Sequence, residues 1–260
     1  MPGARLKSET GWLNLAGLFW LHEGINSFGG AANNELVFPL MDVDQAGYFM
    51  LQNGKVVQSL LAGVTFTLKD SLVPSTFVVY NPDSARQPVI ANNSLRWFVI
   101  KRDSKYGVRL RDLNHPNVAS FQGIERFPVD ARWKVTARCE STPGRTTPIT
   151  NVLGQTIAQS APCVLVFVIE GNEYRLDALD EGADELFIIF GDATNTKETY
   201  GAGRYLYAPL PDSAGMVTLD FNKSVNPPCA FTEFATCPLP PPQNVLDIAV
   251  NAGEKNYKLH

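Results

Sequence analysis

Six side chains in the second half of the chain have types suited to proton transfer or polar recognition: Asp192, Glu198, Arg204, Asp220, Asn222 and Asn226. A carboxylate pair drawn from Asp192, Glu198 and Asp220 could serve as general acid and base, with Arg204 orienting the substrate. Tyr200 and Cys229 add a phenol and a thiol, so Arg204, Tyr200, Asn222, Asn226 and Cys229 are the candidate ligand contacts. The competing reading is structural. Arg204 is then an ion-pair partner, and Asp220 and Asn222 satisfy the backbone of an irregular loop rich in amides and carbonyls. Arg109 and Arg111 form a second candidate set, because paired guanidinium groups suit carboxylate or phosphate. Asp103 and Asp112 stand near enough in sequence to be their ordinary salt-bridge partners.

Other chemistries lack their parts. Only His22, His115 and His260 are available as bases, and no G-x-S-x-G turn is present, which disfavours a Ser-His-acid hydrolase. Cys229 and Cys237 stand apart without a C-x-x-C or H-x-x-x-H companion, so no metal site is expected. They read as a buried pair of thiols or, in an oxidising compartment, as a disulfide closing the loop. The glycines of Tyr200–Arg204 do not open a helix, so no nucleotide-phosphate cradle and no cofactor are expected.

These residues must be positioned by the stretch Gly215 to Asn244. It opens as a strand and then holds six of the 18 prolines and two of the four cysteines, without helical or strand period. A segment so rich in Phe, Cys and Pro reads as an ordered, packed loop, the kind on which sites are built. A strand over Leu246–Val250, with Leu246, Ile248 and Val250 alternating against polar neighbours, is expected to pin its far end.

The remaining pattern is of short strands. GWLNLAGLFWLHEG predicts a buried strand with a bend at Gly17. Strands follow near Gly47–Leu51, Val56–Leu61, Val64–Leu68 and Thr76–Tyr80, then a hairpin of Trp97–Ile100 with Tyr106–Arg111. In that hairpin Arg109 and Arg111 share one face and Tyr106, Val108 and Leu110 the other. A domain seam is expected near Asp130, giving domains 1–130 and 131–260. The second half reads as a meander through Cys163–Ile169, Tyr174–Ala178, Leu186–Phe190 and a strand carrying Tyr200, Ala202 and Arg204.

Composition limits the partners. A formal net charge of −4 disfavours broad nucleic-acid binding. Arg96–Arg138 nevertheless carries a net +6, which suits an anionic small ligand or is simply a solvated face. No apolar run approaches the length of a membrane span, and no signal sequence is visible, so the expectation is a cytoplasmic protein off the membrane. Oligomeric state is not legible.

Two resemblances follow. Gly29-Gly30, a polar loop and Asn34-Glu35-Leu36-Val37 are similar to the start of a forkhead-associated domain, a β-sandwich that reads phosphothreonine. Gly30 stands where that family places an arginine, and its Ser-x-x-His is missing, so the resemblance implies the fold alone. More broadly, GWLNLAGLFWLHEG, WFVIKRDSKYGVRLRD, FQGIERFPVD, LFIIFGDATNTKETYGAGRYLYAP and LDFNKSVNPPCAFTEFATCPLPPPQN resemble the family known as domain of unknown function 1684. That resemblance implies no activity.

The expected architecture is all-β: an N-terminal β-sandwich, then a mostly antiparallel sandwich or barrel, with few short helices. The expected function is binding of an anionic or polar small molecule in a pocket under the 215–244 loop. The alternatives are a hydrolase or isomerase using a carboxylate pair with Arg204, and a protein-interaction module presenting the Arg109/Arg111 face.

Overall fold

The computed structural model of the chain describes residues 2–69, 71–182 and 184–257. His260 lies outside the described residues. The chain forms two compact units, Met1–Phe121 and Gln122–His260, both built almost wholly from strands. Two short helices, Pro2–Lys7 and Pro116–Ser120, and a few 3-10 turns complete the secondary structure. Among the described residues, no helix is long and apolar enough to cross a membrane.

The first unit is a sandwich of a six-stranded and a five-stranded sheet. The six-stranded sheet runs Leu15–Trp20, Lys105–Asp112, Leu95–Arg102, Ile90–Asn92, Thr67–Leu68, Ser71–Leu72. Its first pairing shifts register between Leu15 and Gly17, which is the bend the Gly17 position suggests. Inward side chains of both sheets meet in one aromatic core of Phe28, Phe38, Phe49, Phe66 and Trp97. The Trp97 indole donates to Gln58 Oε1 at 2.8 Å, so the largest core ring buries no unpaired donor. Asn34 and Glu35 serve the main chain: Asn34 Nδ2 donates to the Ala31 and Asp44 carbonyls, and Glu35 Oε2 accepts the Ser27 N–H.

The second unit is a six-stranded antiparallel sheet ordered Arg204–Pro209, Glu185–Phe190, Asn172–Asp180, Cys163–Ile169, Lys134–Ser141, Met216–Asp220. Just past its last strand, Val225 pairs with Tyr205 of its first strand, exchanging both backbone hydrogen bonds at 2.9 Å. The sheet therefore comes close to closing as a barrel. Its interior holds Trp133, Phe167, Phe190 and Phe221, with Phe221 in ring contact with each of the other three. Phe221 thus packs the barrel core, and Phe231 is also buried, its ring against Tyr257 at 5.0 Å.

Two strand expectations are corrected. Leu246–Val250 is not a strand, although its alternation is real: Leu246 and Val250 are buried, and Asp247 and Ala249 exposed. It runs beside the loop 191–193, bonded main chain to main chain through Gly191 and Ala193 and by the Val250 N–H to the Asp192 side chain, and that loop turns away to enclose Asp192, so no ladder continues. Likewise the strand begins at Arg204, not at Tyr200. Residues 194–203 are instead knotted into a loop by hydrogen bonds of Thr194, Asn195 and Thr199.

Candidate functional site

Arg204 opens the strand Arg204–Pro209, opposite Phe190, and points into the barrel end. Its side chain is fully buried, which demands compensation for the lost hydration of its charge. Nη2 meets Asp192 Oδ2 at 2.7 Å and the Val250 carbonyl at 2.9 Å, Nη1 donates to the Ala252 carbonyl, and the Phe190 ring lies 5.2 Å from the guanidinium carbon. Burial pushes the guanidinium pKa down, and Asp192 opposes that shift.

Asp192 is committed to the same cage. Oδ1 accepts the Thr194 N–H at 2.9 Å, the Thr194 hydroxyl at 2.6 Å and the Val250 N–H at 3.2 Å, while Oδ2 takes Arg204. Three donors thus converge on Oδ1 while Oδ2 holds the Arg204 guanidinium, so Asp192 ties the loop 191–194 to Arg204 and Val250. Glu198 sits exposed at the tip of that loop. Asp220 caps the 3-10 turn Phe221–Lys223, accepting the Asn222 N–H at 3.2 Å and its Nδ2 at 3.0 Å. Asn222 also clamps Asp130 in both directions, accepting its N–H at 3.1 Å and donating to its carbonyl at 3.0 Å. Asp192 and Asp220 thus each have their own hydrogen-bond partners, and Glu198 is exposed.

Asn226 does join Arg204. The Tyr205–Val225 pair is antiparallel, so Arg204 falls opposite Asn226 and Leu206 opposite Ser224, all on the interior face. Asn226 N–H donates to Glu254 Oε2 at 2.7 Å, and Nδ2 to the Lys255 carbonyl at 2.8 Å. Glu254 Oε1 is paired with Arg126 at 2.9 Å; the carboxylate is 3% exposed, the guanidinium 36%, so Arg126 is the side that meets solvent. Burial raises the Glu254 pKa, and the Asn226 N–H, Arg126 and Arg204 act against it. Gly253 makes the approach possible. It has φ +75°, and a Cβ there would stand 2.7 Å from both Ser224 Cβ and the Ser224 carbonyl oxygen.

Within this closely paired assembly, three buried atoms have no partner among the described residues: Arg204 Nε, Ser224 Oγ and Asn226 Oδ1. One is a donor, one an acceptor and one can be either. Glu254, Arg126 and Ser224 were not singled out as functional from sequence. Their only signals are the Gly253-Glu254 step after an apolar run and an arginine in FQGIERFPVD, both without periodicity.

Cys229 and Cys237 face one another nearby in sequence. The Cys229 N–H donates to Cys237 Sγ at 3.0 Å, and the Cys237 N–H to Cys229 Sγ at 3.3 Å. Tyr205 donates its hydroxyl to the Pro238 carbonyl at 3.2 Å, and its pKa is raised, chiefly by burial and then by Cys237. Tyr200 is half-buried, and its pKa is raised by burial and then by Cys229 and Cys237. Cys237 itself is pushed up by Cys229 and by burial.

The structure also holds a polar cluster with no sequence forewarning. Asp177 Oδ2 accepts from Arg145 at 2.8 Å, Thr147 at 2.7 Å and Gln243 at 2.7 Å. Asn244 accepts the Asp177 N–H and donates to the Asp177 and Ile189 carbonyls. The end of the proline-rich loop is fastened to the barrel there.

Arg109 and Arg111 share one strand face, as their spacing requires, but neither is open to solvent. Arg109 lies over the Trp12 ring at 5.7 Å. Arg111 donates to the Gly11 carbonyl and to Asn14 Oδ1 at 2.7 Å, and burial lowers its pKa to about 10. His22 is exposed beside Glu35, and His115 caps the helix Pro116–Ser120 by accepting the Asn117 N–H at 3.2 Å. Among the described residues, no group of three or more His, Cys, Asp or Glu gathers to hold a metal.

No curated protein matches the chain. An uncharacterised protein of Haloarcula marismortui, solved by solution NMR, matches with 28% identity over 53% of this chain and 78% of its own, at a TM-score of 0.44. The family described as "Protein of unknown function (DUF1684)" matches residues 119–255, and the chain belongs to that family.

Proposed function

We propose that the second unit binds a small polar molecule or polar group at the barrel end, between Arg204, Ser224 and Asn226. The observation that carries this reading is the set of unspent hydrogen-bonding atoms, Arg204 Nε, Ser224 Oγ and Asn226 Oδ1, amid otherwise heavily paired groups. A buried polar atom without a partner costs about 1–3 kcal/mol, so a group supplying both a donor and an acceptor is favoured there. Charge refines the ligand class. Asp192 offsets Arg204 and Arg126 offsets Glu254, leaving no surplus positive charge for an anion. Amide, hydroxyl and protonated carboxyl groups fit better than phosphate. The burial of Phe221 and Phe231 moves the proposed site away from the ring-lined underside of the 215–244 loop to its Ser224–Asn226 start. The reading retains a cytoplasmic location, consistent with four cysteines present as thiols.

The test is an NMR screen of the full chain against small amides, hydroxy acids and carboxylates, following the Arg204 Nε–H and Asn226 resonances. Binding that shifts both and disappears in Asn226→Ala supports the reading. No perturbation across the panel, or binding that survives in a folded Asn226→Ala protein, ends it.

A second reading is favoured by one observation, the buried Glu254 carboxylate with its raised pKa beside a half-exposed Arg126. Such a group suits proton transfer, so the hydrolase or isomerase alternative now rests on Glu254 in place of Asp192, Glu198 and Asp220.

A further inference from the structure

We propose that Cys229 and Cys237 form a reversible dithiol–disulfide couple, oxidised by peroxide, that locks the segment between them. The argument is geometric. Each backbone N–H donates to the other residue's sulfur, at 3.0 and 3.3 Å, and the two thiols are side-chain neighbours, so each sulfur lies against the other cysteine. Both backbones are also held from outside. The Cys237 carbonyl accepts the Val152 N–H at 3.0 Å, and the Leu239 N–H reaches the Thr150 carbonyl at 2.8 Å. Cys229 lies in the 3-10 turn Pro228–Ala230, secured by Ala230 N–H to the Pro227 carbonyl. Cys229 is half-buried, which gives an oxidant access, and Cys237 is buried behind it.

The other two cysteines, Cys139 and Cys163, are also side-chain neighbours, diagonal across the ladder in which Cys139 pairs with Leu165 and Cys163 with Ser141. Their setting differs: the Cys139 N–H serves the Gly215 carbonyl and not a sulfur, and burial, then Cys139, pushes the Cys163 thiol pKa up.

The chemistry balances. Cys229 gives up its proton and attacks a peroxide oxygen; the S–O bond forms, the O–O bond breaks and hydroxide leaves. The sulfur is oxidised to sulfenic acid and the peroxide is reduced. The Cys237 sulfur then attacks the Cys229 sulfur, the S–S bond forms, the S–O bond breaks, and the departing hydroxide leaves as water with the Cys237 proton. A dithiol and one peroxide give a disulfide and two waters. The closed ring spans Cys229 to Cys237 and holds the Asn226-Pro227-Pro228 turn on one side of it. This inference stands whether or not Arg204 and Asn226 bind a ligand.

The experiment treats the full chain with stoichiometric hydrogen peroxide, blocks thiols, and maps peptides by mass spectrometry. The expected product is a Cys229–Cys237 disulfide peptide, with Cys139 and Cys163 recovered as blocked thiols and the whole change reversed by dithiothreitol. Closing a loop this short raises the unfolding midpoint of the oxidised protein by roughly 5–10 °C. Cys237→Ser is expected to trap Cys229 as a sulfenic acid that reacts with dimedone. Oxidation of wild-type Cys229 directly to sulfinic acid, disulfides spread over all four cysteines, or no disulfide would each overturn the proposal.

Discussion

Arg204 and Asp192 form a 2.7 Å ion pair in which neither side chain has any solvent exposure. The pair joins the first strand of the barrel to the loop that follows its neighbour, and it carries the carbonyls of Val250 and Ala252 with it. Removing one member leaves the other charge buried and unpaired, a loss of about 3–5 kcal/mol. Arg204→Met and Asp192→Ala are therefore each expected to destabilise the second unit by that order in chemical denaturation. The double variant should lose clearly less than the sum of the two, because the stranded charge is gone. Strict additivity would show that the pair does not act as a unit.

Asn244 makes the corresponding attachment at the other end of the proline-rich loop. Its amide accepts from the Asp177 N–H at 2.7 Å and donates to the Asp177 and Ile189 carbonyls at 3.0 and 2.9 Å. Asn244→Ala exposes no new solvent to these buried groups and removes three bonds at once. A loss of at least about 2 kcal/mol is expected from unsatisfied buried polar groups. The accompanying sign is faster amide hydrogen exchange at Asp177. Unchanged exchange there would mean that the strand does not depend on the amide.

Where local pattern decided structure, the sequence was a good guide. Cys163–Ile169 is a strand because a continuous apolar run of that length between turn residues packs on a core, with only Val168 left exposed, and Lys105–Asp112 is a strand that is buried on both faces from Gly107 onward. The pairing of Arg204 with Asp192 was also within reach, since both flank one loop. What was not legible is contact made across great sequence distance by residues without period. Arg126 meets Glu254 from 128 positions away, and Asn244 meets Asp177 from 67. Leu246–Val250 shows the opposite failure: its alternation records burial correctly, but strand formation also needs a partner with a free edge. Asp220 and Asn222 took the structural role that the sequence reading had left open.

His22 offers a probe of the first unit that is independent of these contacts. Its Nδ1 donates to the Glu23 carbonyl at 2.8 Å and its Nε2 lies 3.2 Å from Glu35 Oε1. Both partners are acceptors, which favours the doubly protonated ring. Its pKa is accordingly raised from 6.5, by the Glu23 carbonyl first and Glu35 second, while that of Glu35 is lowered by the Ser27 N–H and then by His22. The stability from His22 is fully present below pH 6.5 and is lost as pH rises through the raised folded value. An NMR titration should find the ring titrating above 6.5, and Glu35→Gln should bring it part of the way back. A full return would assign the shift to Glu35 alone.

Glu254 has the opposite linkage from an ordinary salt-bridged carboxylate. Its folded pKa is raised above 4.5 because burial outweighs the Asn226 N–H, Arg126 and Arg204. Between 4.5 and that higher value the folded state holds more protons than the unfolded state. Stability from this group therefore falls as pH rises through the window, and levels off once Glu254 is ionised in both states. Glu254→Gln removes the titration, so its stability should not decline over that window as the wild type's does. Denaturation profiles of the two proteins from below pH 4.5 to neutrality, taken as a difference, isolate the effect from other carboxylates. A flat difference would mean that Arg126 holds Glu254 ionised through the whole range. The proton-transfer reading would fall with it, since a carboxylate that never takes up a proton near neutrality cannot deliver one.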